Sequence, residues 1–167
     1  CYNGLWRMNR DGEFNVPEGD YDSPTNICQE LILRACQQHL ISATLSSSSW
    51  EDAFRHVHSG DLVYLDPPYM PLEINGTTFN TYFTDGFSRQ DQIQLAIKSA
   101  QLAAKGARVI ASNHDALGEP TIRKIYGKAA LDAGCRIEIR PIQVSRNISC
   151  QGHGRVKVNE VLIFMTK

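Results

Sequence analysis

The stretch Asp61-Leu62-Val63-Tyr64-Leu65-Asp66-Pro67-Pro68-Tyr69 decides the fold. Leu62 to Leu65 are continuously apolar, the pattern of a strand buried on both faces of a parallel sheet. Two prolines then stop the strand, because neither can donate to a ladder. Further along, Ser88-Arg89-Gln90-Asp91 predicts a capping box. Ile93, Ala96, Ile97, Ala100 and Ala104 continue at helical spacing until Gly106, a C′ residue. Arg108 to Ser112 read as a second buried strand ending in polar Asn113-His114-Asp115. A helix from Thr121 to Leu131 leads through Gly134 to an alternating strand, Arg136 to Arg140. Glu160 to Met165 form the last strand.

Toward the N-terminus, Ile27, Leu31, Ile32, Ala35, Cys36 and Leu40 share one helical face. Residues 1–26 are rich in Asn, Gly, Pro, Asp and aromatics, and predict turns with a hairpin around Arg10-Asp11-Gly12. Strand–helix–strand alternation with short links predicts an α/β fold with a mainly parallel sheet. Ligands of such sheets bind beyond the carboxyl ends of the strands. Asp66-Pro67-Pro68-Tyr69 and Ser112-Asn113-His114-Asp115 both sit at such ends.

Composition narrows the classes. The 167 residues carry 17 Lys and Arg against 18 Asp and Glu, with 42% hydrophobic residues. Those fractions exclude wholesale disorder, and no run approaches the roughly 18 apolar residues of a membrane span. The first residues lack the apolar core of a secretory signal. Near-neutral charge leaves room only for a local basic patch, and Arg140, Arg146, His153, Arg155 and Lys157 supply one. The five cysteines follow no metal-ligand spacing and read as reduced thiols. His56 and His58 lack a carboxylate or Cys partner at ligand spacing, so no metal is expected. The chain opens at Cys1 on a dense aromatic and polar segment, from which a fragment with an upstream part is expected.

Asp66-Pro67-Pro68-Tyr69 carries the chemistry. Rigid prolines freeze the backbone after the strand, and Pro67 supplies a carbonyl acceptor of fixed direction. Asp66 adds a charged acceptor beside it. Two acceptors held together fit an exocyclic amino group, and holding both N–H donors leaves the nitrogen lone pair free to attack. Tyr69 offers a flat face for stacking a planar base. The blander alternative is a strand ended by a Pro-Pro turn with a packed Tyr. His114 invites a general-base role, but a hydrogen-bonding role at a strand end suffices, since the amine can lose its proton to solvent.

The motif resembles that of amino-group methyltransferases acting on adenine N6, cytosine N4 or protein glutamine. Tyr2-Asn3-Gly4-Leu5-Trp6-Arg7, Gly12 to Pro17, Phe79-Asn80-Thr81-Tyr82 and Ser145-Arg146-Asn147-Ile148-Ser149 narrow the likeness to Dam-type DNA adenine-N6 methyltransferases of the D12 class. The similarity covers essentially the whole chain in the family's alpha-group order. It implies a Rossmann-like, S-adenosylmethionine-dependent methyltransferase fold, present in part. Residues 1–26 would end a target-recognition segment, and residues 27–167 would belong to the catalytic domain.

The resemblance also implies roles. Asp66, Pro67, Pro68 and Tyr69 would hold and stack a flipped adenine, with Asp66 also beside the methionine part of the cofactor. Tyr2 and Asn3 would fill the gap left by the base, Leu5 and Pro17 would touch a thymine methyl, and Arg7 would read a guanine edge. Together they imply GATC as the target in double-stranded DNA. Tyr21 would support a base or phosphate contact, and Arg146, Arg155 and Lys157 would engage phosphates. Ser49 and Trp50 fall where the family lines the cofactor's adenine. A direct in-line transfer calls for no metal, and a monomer in a bacterial or phage-infected cytoplasm is expected. The family serves restriction–modification, phage and housekeeping systems alike.

Two departures stand out. After Val16-Pro17 the family usually reads aromatic-Gly-basic-Tyr, where this chain has Glu18-Gly19-Asp20-Tyr21, two acids on a phosphate path. No Gly-rich cofactor loop follows a strand, and Gly152-His153-Gly154 is no substitute. In this subgroup that loop lies upstream of recognition, so its absence fits a chain starting mid-protein, inactive alone. The competing readings are a non-catalytic DNA-binding remnant and an RNA or protein amino-group methyltransferase. Leu5, Trp6 and Phe14 also suit a small satellite core, and Tyr82 suits packing alone.

Overall fold

A computed structural model describes residues 8–15, 28–69, 73–74, 77–78, 87–115, 121–145 and 157–167. The chain divides into two compact units, Cys1–Ser49 with Arg146–Val156, and Trp50–Ser145 with Lys157–Lys167.

In the first unit the expected hairpin is present. Met8 and Phe14 form an antiparallel bridge, and Gly12 takes the left-handed conformation at φ 81°. Asn9 ties the turn, its Oδ1 accepting from the N–H groups of Asp11 and Glu13 at 3.0 and 2.8 Å. Helix α1 spans Glu30–Leu40, with a Glu30–Arg34 ion pair one turn apart. No residue of α1 is buried, so its apolar stripe (Leu31, Ile32 and Leu40 among them) stays exposed.

The second unit holds the sheet. Short helix α2 (Trp50–Phe54) precedes β1 (Leu62–Leu65), and β2 (Glu73–Ile74) pairs with β3 (Thr77–Thr78) as a small antiparallel ribbon. Helix α3 runs Arg89–Ala104, β4 Arg108–His114, α4 Ile122–Ala133, β5 Arg136–Ser145 and β6 Lys157–Thr166. The predicted capping box opens α3: Ser88 Oγ accepts from the Asp91 N–H, and the Asp91 carboxylate accepts from the Ser88 N–H. Gly106 closes it at φ 105°, and Gly134 caps α4 in the left-handed conformation. Such caps satisfy backbone groups that a helix cannot pair internally.

The strand order is β1-β4-β6-β5. Only β1 and β4 are parallel; β6 runs antiparallel to both β4 and β5. The expectation of a mainly parallel sheet is therefore corrected to a mixed one. The cause is non-local, since β5 and β6 pair over ten residues and β6 inserts between β5 and β4.

The core lies between one sheet face and the helices α3 and α4. Val109, Ala111, Val161, Ile163 and Met165 point from the strands toward Ala96, Ala100 and Ala103 of α3 and Ile122, Tyr126 and Ala129 of α4. Alanines on α3 let the two helices approach closely without overfilling the interface. The second correction concerns β1. Val63 and Leu65 pack on the core, but Leu62 and Tyr64 remain 64% and 62% exposed. Strand side chains alternate between faces, and β1 lies at the sheet edge with the core helices on the other face.

Candidate active site

Asp66-Pro67-Pro68-Tyr69 leaves the carboxyl end of β1, the position expected of a ligand-binding loop. Asp66 is exposed, while Pro67 and Tyr69 are half-buried. Because β1 and β4 are parallel and paired from Leu62–Arg108 to Leu65–Ala111, the carboxyl end of β4 lies beside the motif. The period of two then puts Ser112 and His114 on one face and Asn113 on the other.

Ser112 is the hub. Its hydroxyl lies 3.0 Å from Asp66 Oδ1, 3.3 Å from the Leu65 carbonyl and 3.4 Å from the Tyr64 hydroxyl. A hydroxyl has one proton, and the carboxylate is the nearest and charged acceptor, so Ser112 donates to Asp66 and accepts from Tyr64. The Tyr69 ring meets the His114 ring edge-on, with centroids 4.8 Å apart and planes at 81°. Burial chiefly pushes the Tyr69 phenol up to about 12, with the charges of Glu160 and Asp66 adding to the rise and the Ser112 hydrogen bond opposing it. The phenol therefore stays neutral at physiological pH.

Behind β4 lies a polar chain that sequence reading missed. Asn113 Nδ2 donates to Gln92 Oε1 at 3.2 Å, and Gln92 Nε2 donates to the Tyr126 hydroxyl at 3.2 Å. All three side chains are fully buried. A signal existed: Gln92 falls on the buried stripe of α3 with Leu95, Ala96 and Ser99, where a polar residue requires a partner. Tyr64 was also missed, its exposed ring having been read only as part of an apolar strand. At the end of β4, Arg123 holds Asp115 in a two-pronged ion pair at 2.7 and 2.8 Å, which keeps the Asp115 carboxyl below its usual range.

The structure thus unites Asp66 and Tyr69 with Ser112 and His114. Trp50 stands elsewhere in the unit. It opens α2, meets Phe54 edge-on at 5.3 Å, and lines a cleft of about 420 Å³ with Phe54, Lys98, Gln101, Leu102 and Lys105. No residue of the Asp66 cluster lines that cleft. Ser49 is exposed at the end of the first unit. Tyr2, Asn3, Leu5, Arg7, Pro17, Tyr21, Arg146 and Arg155 lie outside the described residues, and Lys157 is described only as the first backbone position of β6. Among the described residues, no group of three His, Cys, Asp or Glu could hold a metal, and no helix is long and apolar enough to cross a membrane.

Asp66 and Tyr69 thus meet Ser112 and His114 at the carboxyl end of the parallel pair β1–β4. The chain belongs to the D12 class N6 adenine-specific DNA methyltransferases, whose family model matches residues 1–135. It is 36% identical over 166 residues to a DNA adenine methylase of Vibrio cholerae, covering 99% of this chain and 55% of that protein. It is 38% identical to a DNA adenine methylase of Serratia marcescens over 97% of this chain and 55% of the relative. The likeness to that of Escherichia coli is 34% over 96% of this chain and 53% of the relative. The chain therefore spans about half the length of these relatives.

Proposed function

We propose that this chain is the part of a site-specific DNA methyltransferase that holds the target adenine, with its N6 amino group as the methyl acceptor. The observation carrying this is the Asp66 carboxylate at the end of β1, oriented by Ser112 and flanked by a Tyr69 ring braced on His114. Asp66 and the Pro67 carbonyl accept the two amine hydrogens, which frees the nitrogen lone pair. Tyr69 stacks on the flipped base. The chain contributes orientation and fixed hydrogen-bond acceptors rather than a proton shuttle. The proton leaves to solvent after transfer.

The methyl donor is S-adenosylmethionine, which when bound supplies an activated sulfonium methyl group. The residues present fit such a cation, since Asp66 keeps an exposed carboxylate at the strand's carboxyl end. The assignment of Ser49 and Trp50 to the donor's adenine rests on resemblance alone. The target is double-stranded GATC, read by Tyr2, Asn3, Leu5, Arg7 and Pro17, with phosphates held by Arg146, Arg155 and Lys157 and support from Tyr21. Residues 1–26 then end the recognition segment and residues 27–167 belong to a Rossmann-like catalytic domain acting as a monomer. The likeness to DNA adenine methylases of Vibrio cholerae and Escherichia coli supports this reading.

The test is methylation of a GATC duplex by protein expressed from its complete gene, with S-adenosylmethionine as donor. Methylation at adenine N6 that falls below detection in Asp66→Ala supports the assignment. Undiminished methylation by Asp66→Ala overturns it, and equal methylation of a scrambled duplex overturns GATC recognition.

A further inference from the structure

The junction of β1 and β4 contains a deliberate break in the ladder. Arg108 N–H donates to the Asp61 carbonyl at 2.8 Å, and β1 and β4 then run in parallel register. A parallel ladder repeats every two residues, so the same side of β4 presents the N–H groups of Ile110, Ser112 and His114 in turn. The other side faces β6, as the Asp115 N–H to Asn159 carbonyl bond of 3.1 Å shows. Continued by the same step from Asp61, the ladder would bring the His114 N–H onto the carbonyl of Pro67. It does not continue: the His114 N–H donates instead to Asn113 Oδ1 at 2.9 Å.

We propose that Asn113, anchored by Gln92 and Tyr126, is a positioning residue that diverts the His114 N–H away from the Pro67 carbonyl and so reserves that carbonyl for the substrate amine. This rests on the function proposed above and adds the device that keeps one of its two acceptors in reserve. Donors and acceptors along the chain have a single consistent order. Asn113 turns its amide nitrogen to Gln92 Oε1, and Gln92 turns its own to Tyr126. Flipping Asn113 would set its NH₂ donor against the His114 N–H and its oxygen against Gln92 Oε1, so the Gln92 bond selects the useful orientation. Gln92 is itself fixed in the first turn of α3, its N–H donating to the Ser88 carbonyl at 3.0 Å beside the capping box. Full burial of all three side chains makes any mispairing costly, which keeps the diversion in place. The same bond fixes the backbone of His114, whose ring braces Tyr69.

The test compares Asn113→Ala with Asn113→Asp. Asp keeps an acceptor for the His114 N–H, and Gln92 can turn its amide to donate to it; Ala keeps nothing. In the methylation assay kcat falls at least tenfold in Asn113→Ala and stays within about threefold in Asn113→Asp, with KM for DNA unchanged in both. In isotope-labelled protein from the complete gene, the Pro67 carbonyl carbon and the His114 amide nitrogen shift together in Asn113→Ala, as expected when they bond to each other, and hold in Asn113→Asp. Gln92→Met, which removes the anchor while preserving volume, gives the same shifts and serves if Asn113→Ala does not fold. Folded Asn113→Ala or Gln92→Met with unmoved Pro67 and His114 resonances overturns the proposal. So does a kcat loss equal in Asn113→Ala and Asn113→Asp. The resonances report independently of catalysis, so absent methylation by the parent protein counts against the proposed function alone.

Discussion

Ser112 Oγ stands 3.0 Å from Asp66 Oδ1 and joins the end of β4 to the first residue of the Pro-Pro turn. Charge-assisted hydrogen bonds contribute about 1.5–3 kcal/mol, and exposure of the carboxylate places this one at the low end. Ser112→Ala is expected to lower kcat about tenfold, since about 1.4 kcal/mol of barrier corresponds to that factor. Steady-state methylation of a GATC duplex measures it; an unchanged kcat removes Ser112 from the site.

The role proposed for Tyr69 belongs to its ring. Tyr69→Phe keeps the wall and is expected to retain kcat within a few-fold, whereas Tyr69→Ala loses a stacking contact worth about 1–3 kcal/mol. The phenol also carries a pH signature. Its ordinary value of 10.0 rises to about 12 on folding, so the folded state holds the proton more tightly. That contribution is fully present below pH 10 and is lost as pH rises toward 12. Alkaline denaturation should therefore steepen in this window, and Tyr69→Phe should flatten it.

Asp115 predicts the opposite limb. The Arg123 guanidinium holds its carboxyl below 3.8, mainly by hydrogen bonding. The stabilisation is present above that value and lost as pH falls through the lowered one. Both groups are partly exposed, so solvent screening limits the effect to under about 1 kcal/mol. Asp115→Asn should lower stability at pH 7 by that amount, and by progressively less as pH falls below 3.8, as read by urea denaturation.

Ser99 is buried in α3, and its hydroxyl has no hydrogen-bond partner among the described residues. An unpaired buried hydroxyl costs about 1–3 kcal/mol, and Ala is the better helix former. Ser99→Ala should raise Tm by about 2–4 °C per kcal/mol recovered. At the next residue, Ala100→Leu should lower stability by about 1–3 kcal/mol, because Ala100 is fully buried in the core packed between α3, α4 and the sheet. Calorimetry on the two variants checks both signs.

Much of this was legible in the chain itself. Ser88 and Asp91 announced the start of α3, Gly106 and Gly134 the ends of α3 and α4, and Arg10-Asp11-Gly12 the hairpin. Leu62 to Leu65 announced a strand and Pro67-Pro68 its end. These signals act within a few residues, through φ preferences and nearby hydrogen bonds, so sequence order is enough to show them. The strand ends were less visible. β4 runs two residues past Ser112, and β5 five residues past Arg140, because pairing with β6 holds residues whose own propensities would have released them.

The sequence alone determined that a rigid Asp-Pro-Pro-Tyr turn follows a strand, since proline geometry is local and covalent. Only the tertiary structure decided what surrounds it. Which strands pair is settled by burial across distant segments, so the antiparallel insertion of β6 left no trace in any local period. That sheet places Ser112 and His114 against Asp66 and Tyr69 on one face, and Asn113 against Gln92 and Tyr126 on the other. A polar side chain inside a core shows its purpose only with its partner, and here the partners lie 21 and 34 residues apart along the chain.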